Sequence, residues 1–315
     1  MMSLSLLMLA GCATDFGLQE ISDPESMGSD TAAPLPEAED PPIEEEDDTG
    51  EPHEPASDEG EDADEDADPT DEEEPPEDDC TDTSELIYVI ERDNDTIYLF
   101  DPEALSFERL GSISCSMYGT PGSMAVSRSG VAYVRYSDDS LYEIELTTLD
   151  CSPTGYSSPN NFGAFGMGYA TDDGDTWKDQ LYIADADRVG QLDTGTWHLS
   201  LLGSMPSQSE LTGNSAGELW AFLPLESPPA LTRLEKDTGV EEERLRLSGF
   251  PSVGDIDAFA FAAWGGEFWL FVRTYGMGSS TDVYRVTADG SLSRVLEDVG
   301  FDVVGAGVST CAPSE

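Results

Sequence analysis

Five short segments of this chain share a form. Phe100-Asp101-Pro102-Glu103-Ala104-Leu105 recurs loosely as Ile144-Glu145-Leu146-Thr147-Thr148-Leu149, Leu192-Asp193-Thr194-Gly195-Thr196-Trp197, Leu234-Glu235-Lys236-Asp237-Thr238-Gly239 and Val286-Thr287-Ala288-Asp289-Gly290-Ser291. Their first residues lie 44, 48, 42 and 52 apart. A strand pattern precedes each segment, and ahead of it a more apolar strand starts at Leu86, Val131, Leu181, Leu219 or Phe268. A unit of this length holds about four strands, the size of one β-propeller blade.

The rest of the pattern agrees with an all-β fold. Short apolar alternations read as strands over Leu86–Ile90, Thr96–Phe100, Val131–Tyr136, Leu141–Leu146, Leu181–Ala184, Leu219–Leu223, Phe268–Val272 and Val283–Thr287. Asp93-Asn94-Asp95, Asp138-Asp139-Ser140 and Asp289-Gly290 supply turns between them. Candidate inner strands are Ser123–Ser127, Phe162–Ala170, Glu210–Asn214, Asp257–Ala263 and Val303–Ser309. Several are rich in Gly and Ala, which suits close backbone approach around a narrow axis. The first blade starts at Leu86 without an inner strand, and one is left over at the C-terminus. Val303–Ser309 is therefore expected to close a ring of five blades; a β-sandwich or an open repeat is the alternative. Over residues 85–310 the chain loosely resembles the periplasmic β-propellers with DP-x-x-L blade repeats, an architectural resemblance that implies no activity.

Charge divides the chain. Residues 1–79 hold 30 Asp or Glu and no Lys or Arg, and residues 80–315 hold the other 37 acids and all 13 bases. A net charge of −54 excludes binding to nucleic acid or to an anionic lipid surface, because affinity for phosphate comes from Lys and Arg. Residues 12–79 have too little apolar surface to offset ordering entropy, so a disordered acidic linker is expected there. Residues 80–315 are long enough to bury a single core, and a monomer is expected.

The N-terminus reads Met1-Met2-Ser3-Leu4-Ser5-Leu6-Leu7-Met8-Leu9-Ala10-Gly11-Cys12. This apolar run is shorter than the roughly 20 residues that span a bilayer and has the length of a signal-peptide core. Leu9-Ala10-Gly11-Cys12 resembles the lipobox of bacterial lipoproteins. The resemblance implies that residues 1–11 are a signal peptide and that the Cys12 thiol carries a lipid anchor. Ala13 in place of the family's retention Asp implies the outer membrane of the cell envelope. The family's signal begins with Lys or Arg, and none precedes Cys12, so a start codon upstream of Met1 is expected.

Cys80, Cys115, Cys151 and Cys311 are an even set in an exported chain, which points to two disulfides. Four cysteines allow three connectivities. Ring closure favours Cys80–Cys311, since both flank the strands that must pair in blade one, and leaves Cys115–Cys151. Zinc is not expected, with no C-x-x-C pair and two His in the chain.

Little else signals chemistry. His198 follows Trp197 at the start of an expected outer strand, and no motif places a Ser beside it. Asp172-Asp173-Gly174-Asp175 looks like part of a calcium loop but lacks the downstream Glu. Trp220, Phe222, Trp264, Phe268, Trp269 and Phe271 read as inter-blade packing, or as a stacking surface if exposed. The starts of the inner strands converge on one face if the strands run in parallel directions about the axis. They place Asn160, Asn161, Glu210, Asp255, Asp257 and Asp302 at a propeller mouth, with the uncharged Thr120-Pro121-Gly122-Ser123 from blade two. These acids repel one another unless something positive lies between them, and the donor set suits calcium or the ammonium or guanidinium of a partner. The expectation is a lipid-anchored envelope binding or scaffold protein that recognises a protein, peptide or glycan and requires no cofactor. A calcium-dependent, lactonase-like hydrolase is the alternative, although no ligand motif of those enzymes occurs here.

Overall fold

A computed structural model describes residue 80 and residues 86–172, 175–214, 216–276 and 279–313. The signal segment 1–11, Cys12, the acidic linker to residue 79, and Asp173 and Gly174 of the acidic turn lie outside the described residues.

Among the described residues, twenty strands form five four-stranded antiparallel sheets in a ring, a five-bladed β-propeller. Blade 2 contains β4 (Pro121–Val126), β5 (Val131–Tyr136), β6 (Leu141–Glu145) and β7 (Asp150–Pro153). Blade 3 contains β8 (Gly166–Asp172), β9 (Asp175–Ala184), β10 (Arg188–Leu192) and β11 (Leu199–Ser204). Blade 4 contains β12 (Glu210–Gly213), β13 (Leu219–Leu223), β14 (Ala230–Leu234) and β15 (Glu241–Arg246). Blade 5 contains β16 (Ile256–Trp264), β17 (Glu267–Thr274), β18 (Thr281–Val286) and β19 (Leu292–Leu296). Blade 1 joins the two ends of the chain: β1 (Ile87–Glu91), β2 (Thr96–Asp101) and β3 (Ser106–Ser112) are completed by β20 (Val303–Gly307), which pairs antiparallel with β1. The expected ring closure is thus present, and the Cys80–Cys311 disulfide (Cα–Cα 5.8 Å) fastens it. Cys115–Cys151 (Cα–Cα 5.5 Å) ties the crossover from blade 1 to the outer strand of blade 2.

The second strands β1, β13 and β17 are apolar on both faces through their centres because they are covered on both. In β1, Ile87 and Val89 pack toward blade 5, while Tyr88 and Ile90 pack toward blade 2. In β17, Phe268, Leu270 and Val272 face blade 4, while Trp269 and Phe271 face blade 1. Five apolar clusters fill the five interfaces between blades in this way. Each fully buried large side chain contributes about 1.5–3 kcal/mol. The aromatics read from sequence as packing residues take that role; Trp264 alone of the six is half-buried.

The inner strands β4, β8, β12, β16 and β20 contact one another in a closed ring around the axis. Their glycines are there because backbones meet. A Cβ on Gly168 would lie 2.6 Å from the Leu211 carbonyl oxygen, and one on Gly305 would lie 2.8 Å from the Met124 nitrogen. Hydroxyls stitch neighbouring blades: Ser123 Oγ accepts from Met167 N (3.2 Å) and Thr212 Oγ1 from Ala263 N (3.1 Å). Four inner strands fall within two residues of their expected bounds, and one departs further. β8 starts at Gly166, not Phe162, because Pro159–Asn161 form a 3-10 turn and the Phe162 and Phe165 rings turn inward as plugs between blades 2 and 3.

The sequence repeat is the hairpin between the third and fourth strands. In four of the five the second residue is acidic and caps the turn: Asp101 Oδ1 accepts from Glu103 N and Ala104 N (both 2.9 Å), and Asp193 Oδ1 accepts from Gly195 N (2.9 Å) and Thr196 N (2.8 Å). Four residues further on, the chain turns left-handed, at Leu105 (φ 50°), Leu149 (φ 63°), Trp197 (φ 60°) and Gly239 (φ 66°).

Candidate functional site

Inner strands start and second strands end on the same face, the mouth. Two charge groups occupy it. Asp257 at the start of β16 is paired with Arg92 Nη1 at 3.2 Å and, more tightly, with Arg273 Nη1 from the end of β17. Asp302, just before β20, is paired with Arg273 Nε at 2.9 Å. Two carboxylates and two guanidiniums therefore alternate across the seam between blades 5 and 1. Closer to the axis, Ser123 donates to Glu210 Oε2 (2.8 Å), and Arg135 reaches from β5 to donate to the carbonyls of Phe165 (3.0 Å) and Tyr136 (3.1 Å). Burial raises the Glu210 carboxyl well above its ordinary value, against the opposing pull of the Ser123 hydroxyl and the Arg135 charge.

The other mouth residues named from sequence are spread along the rim. Asn161 is exposed, and its carbonyl accepts from Arg188 Nη2 (3.2 Å), whose guanidinium also grips Asp185 Oδ2 (2.6 Å) and covers the Phe162 ring at 4.9 Å. Asp255 is exposed at the end of a 3-10 turn and lines a shallow rim pocket with Tyr284 and Arg294. Asp257 and Asp302 share one arginine, while Glu210 sits deeper with its own partners. Among the described residues no group of three or more His, Cys, Asp or Glu side chains is placed to hold a metal ion. His198 is exposed in the β10–β11 hairpin on the opposite face, where its carbonyl accepts from Asp193 N.

Sequence reasoning singled out these acids and missed the arginines that pair with Asp257 and Asp302. The positive charge that the acids require comes from inside the chain. A signal was present: the chain has 13 basic residues, and Arg92, Arg135 and Arg273 each lie at or near the mouth end of a second strand, while Arg188 opens the third strand of blade 3. A search by position within the blade would have aligned them.

The mouth face also carries exposed apolar side chains on loops that are held in place. Met117 (83% exposed) and Tyr118 (88% exposed) stand on the crossover from blade 1 to blade 2. That loop is pinned by Ser116 Oγ, which donates to Asp138 Oδ2 and accepts from Gly119 N (both 2.9 Å). Tyr275 (66% exposed) stands on the β17–β18 hairpin, its N–H donating to the Asp255 carbonyl (2.7 Å). Blade 1 lies between these two loops, so the rings flank the Arg92–Asp257–Arg273–Asp302 group.

Fold and mouth together define a five-bladed β-propeller with an arginine–carboxylate lattice at one end of its axis. No family model matches the sequence, and no curated protein does. Among solved structures the chain is similar to a protein of unknown function from Bacteroides caccae, at 10% identity over 71% of this chain and 98% of that one, with a TM-score of 0.43. It is also similar to an exo-β-1,3-galactanase from Phanerochaete chrysosporium determined with galactose, at 10% identity, spanning 60% of this chain and 51% of that one (TM-score 0.43). A third is an auxiliary nutrient binding protein from Bacteroides thetaiotaomicron, at 10% identity, spanning 66% and 53% (TM-score 0.40).

Proposed function

We propose that this chain is a lipid-anchored binding protein of the bacterial cell envelope, and that its propeller recognises a protein, peptide or glycan with the mouth face. The observation that carries the reading is the mouth itself: Met117, Tyr118 and Tyr275 project on hydrogen-bonded loops around arginines and carboxylates already paired with one another. Exposed rings of this size suit recognition, since they give large contact area for little lost rotamer freedom. The pairing favours binding over a cation-dependent hydrolase, because a calcium ion at the mouth would have to displace Arg273 from Asp257 and Asp302. The anchor rests on the lipobox and the acidic linker. Cys80, the first described residue after that linker, is bonded to Cys311 beyond the end of β20, at the face opposite the mouth.

Two measurements test the reading. Labelling with an alkyne fatty acid should mark the wild-type chain and not Cys12→Ser, and the variant should leave the membrane fraction. Envelope extracts passed over the wild-type chain should yield one stoichiometric partner or glycan that a Tyr118→Ala, Tyr275→Ala double variant fails to hold. Equal retention by both proteins would refute recognition through the mouth.

A further inference from the structure

We propose that a second site, on the face opposite the mouth, binds an organic cation: a guanidinium or ammonium group carried on an apolar shank. The inference is independent of recognition at the mouth. A cavity of about 390 Å³ opens between blades 4 and 5 at the far ends of the inner strands. That volume lies within the usual range of small-molecule sites, roughly 300–1,000 Å³.

Its walls combine two features that select for a cation. The first is aromatic. Trp220 and Phe268 pack together at 4.7 Å between centroids, and Trp264 stands half-buried beside them. Indole and phenyl faces attract a cation through their quadrupole, tryptophan most strongly. The second is charge. Glu218, Glu243 and Glu267 line the cavity, and no Lys or Arg does among the described residues. Arg233 lies behind them, paired with Glu218 (2.9 Å), Glu242 (3.4 Å) and Glu243 (3.8 Å), and Arg285 is paired with Glu267 (3.3 Å). Four carboxylates against two guanidiniums leave this region with an excess of two negative charges.

The acids are also fixed in place. Glu218 Oε2 accepts from Asn214 Nδ2 (2.9 Å) and Trp220 Nε1 (3.1 Å). Burial alone would raise the Glu218 carboxyl, but the bonds from Trp220, Asn214 and Arg233 outweigh it and hold it below its ordinary value. Glu218 is therefore ionised at neutral pH. The third wall is the C-terminal segment through Ser309, Ala312 and Pro313, fastened by Cys311 to Cys80 and by Gly265 N donating to the Pro313 carbonyl (2.7 Å). A preformed cavity with fixed acids spares a guest the ordering cost of assembling it. The carboxylates are not grouped as a metal cage, and the aromatic floor fits a planar or alkylated cation better than a hydrated metal.

The test is titration of the full chain, followed by tryptophan fluorescence and calorimetry. The probes are N-acetyl-arginine amide, its uncharged near-isostere N-acetyl-citrulline amide, spermidine and galactose. The expected result is saturable binding of arginine amide and spermidine, weakened by added salt, and none of citrulline amide or galactose. Glu243→Gln, on the half-exposed outer strand, should weaken binding about fivefold, while Glu108→Gln, on the exposed outer strand of blade 1, leaves it unchanged. If an arginine tripeptide binds more tightly than spermidine, the natural guest is a polypeptide side chain. The reverse order makes it a free polyamine, and either order supports the site. Equal binding of citrulline amide, saturable binding of galactose alone, or no saturable response from the wild-type chain would overturn the proposal whether or not any variant folds.

Discussion

The two faces of this propeller use acidic residues in opposite ways. At the mouth, Asp257 and Asp302 are matched one for one by Arg92 and Arg273, and exposed rings surround a neutralised lattice. On the far face, Glu218, Glu242, Glu243 and Glu267 outnumber Arg233 and Arg285, and the aromatics are sunk into a cavity wall. The difference shows that an acidic composition does not specify a cation site. What matters is whether the fold brings the chain's few arginines to the acids or leaves a surplus.

The largest expected effect concerns what holds the far face together. The Cys80–Cys311 bridge closes a loop of 231 residues, and chain-entropy arguments give it about 5 kcal/mol. The Cys115–Cys151 bridge closes 36 residues, for about 4 kcal/mol. Denaturant unfolding of the double serine variants should show the first to be the more damaging. If only the first also impairs arginine-amide binding, the C-terminal wall of the cavity depends on that bridge; equal impairment by both would dissolve this distinction between the faces.

Arg273→Met attacks the mouth lattice. It leaves two carboxylates facing one arginine, which should lower stability by about 2–3 kcal/mol. Calorimetry should then detect calcium heat in the variant and none in wild type. Calcium heat in wild type, lost in Asp257→Asn, would show that the lattice opens and would revive the metal reading of the mouth.

Glu210 sharpens the comparison by pH. Its folded carboxyl is raised above the ordinary 4.5, so between 4.5 and its folded value the native state holds a proton that the unfolded state has lost. Stability from this group is fully present below 4.5 and falls as pH climbs through the folded value. Glu210→Gln should therefore melt increasingly above wild type as pH rises from 4.5 toward neutrality. Glu218→Gln on the far face should show the reverse trend. Its folded carboxyl is lowered, so the stability it contributes is present above 4.5 and lost as pH falls through the folded value. Parallel melting curves for the two variants would contradict both assignments.

The smallest effect on stability is expected at the exposed rings. Tyr118→Ala and Tyr275→Ala should stay within about 0.5 kcal/mol of wild type, while abolishing capture of the envelope partner. A large loss of stability would mean that these rings serve the fold.

The sequence alone determined the blades. A repeated hairpin with an acid that caps its own turn, and second strands apolar on both faces, are local patterns that survive without knowledge of the fold; so was the unmatched C-terminal strand that named the ring closure and, with it, Cys80–Cys311. The start of β8 was misread, because Phe162 and Phe165 have strand composition but act as plugs set by a proline turn. The tertiary structure alone decided the chemistry of the two faces. Arg273 lies 16 residues from Asp257 and 29 from Asp302, and Arg92 lies 165 from Asp257. Whether an acid is neutralised depends on distances of a few ångströms between residues that far apart in the chain, and those distances exist only once the ring has closed.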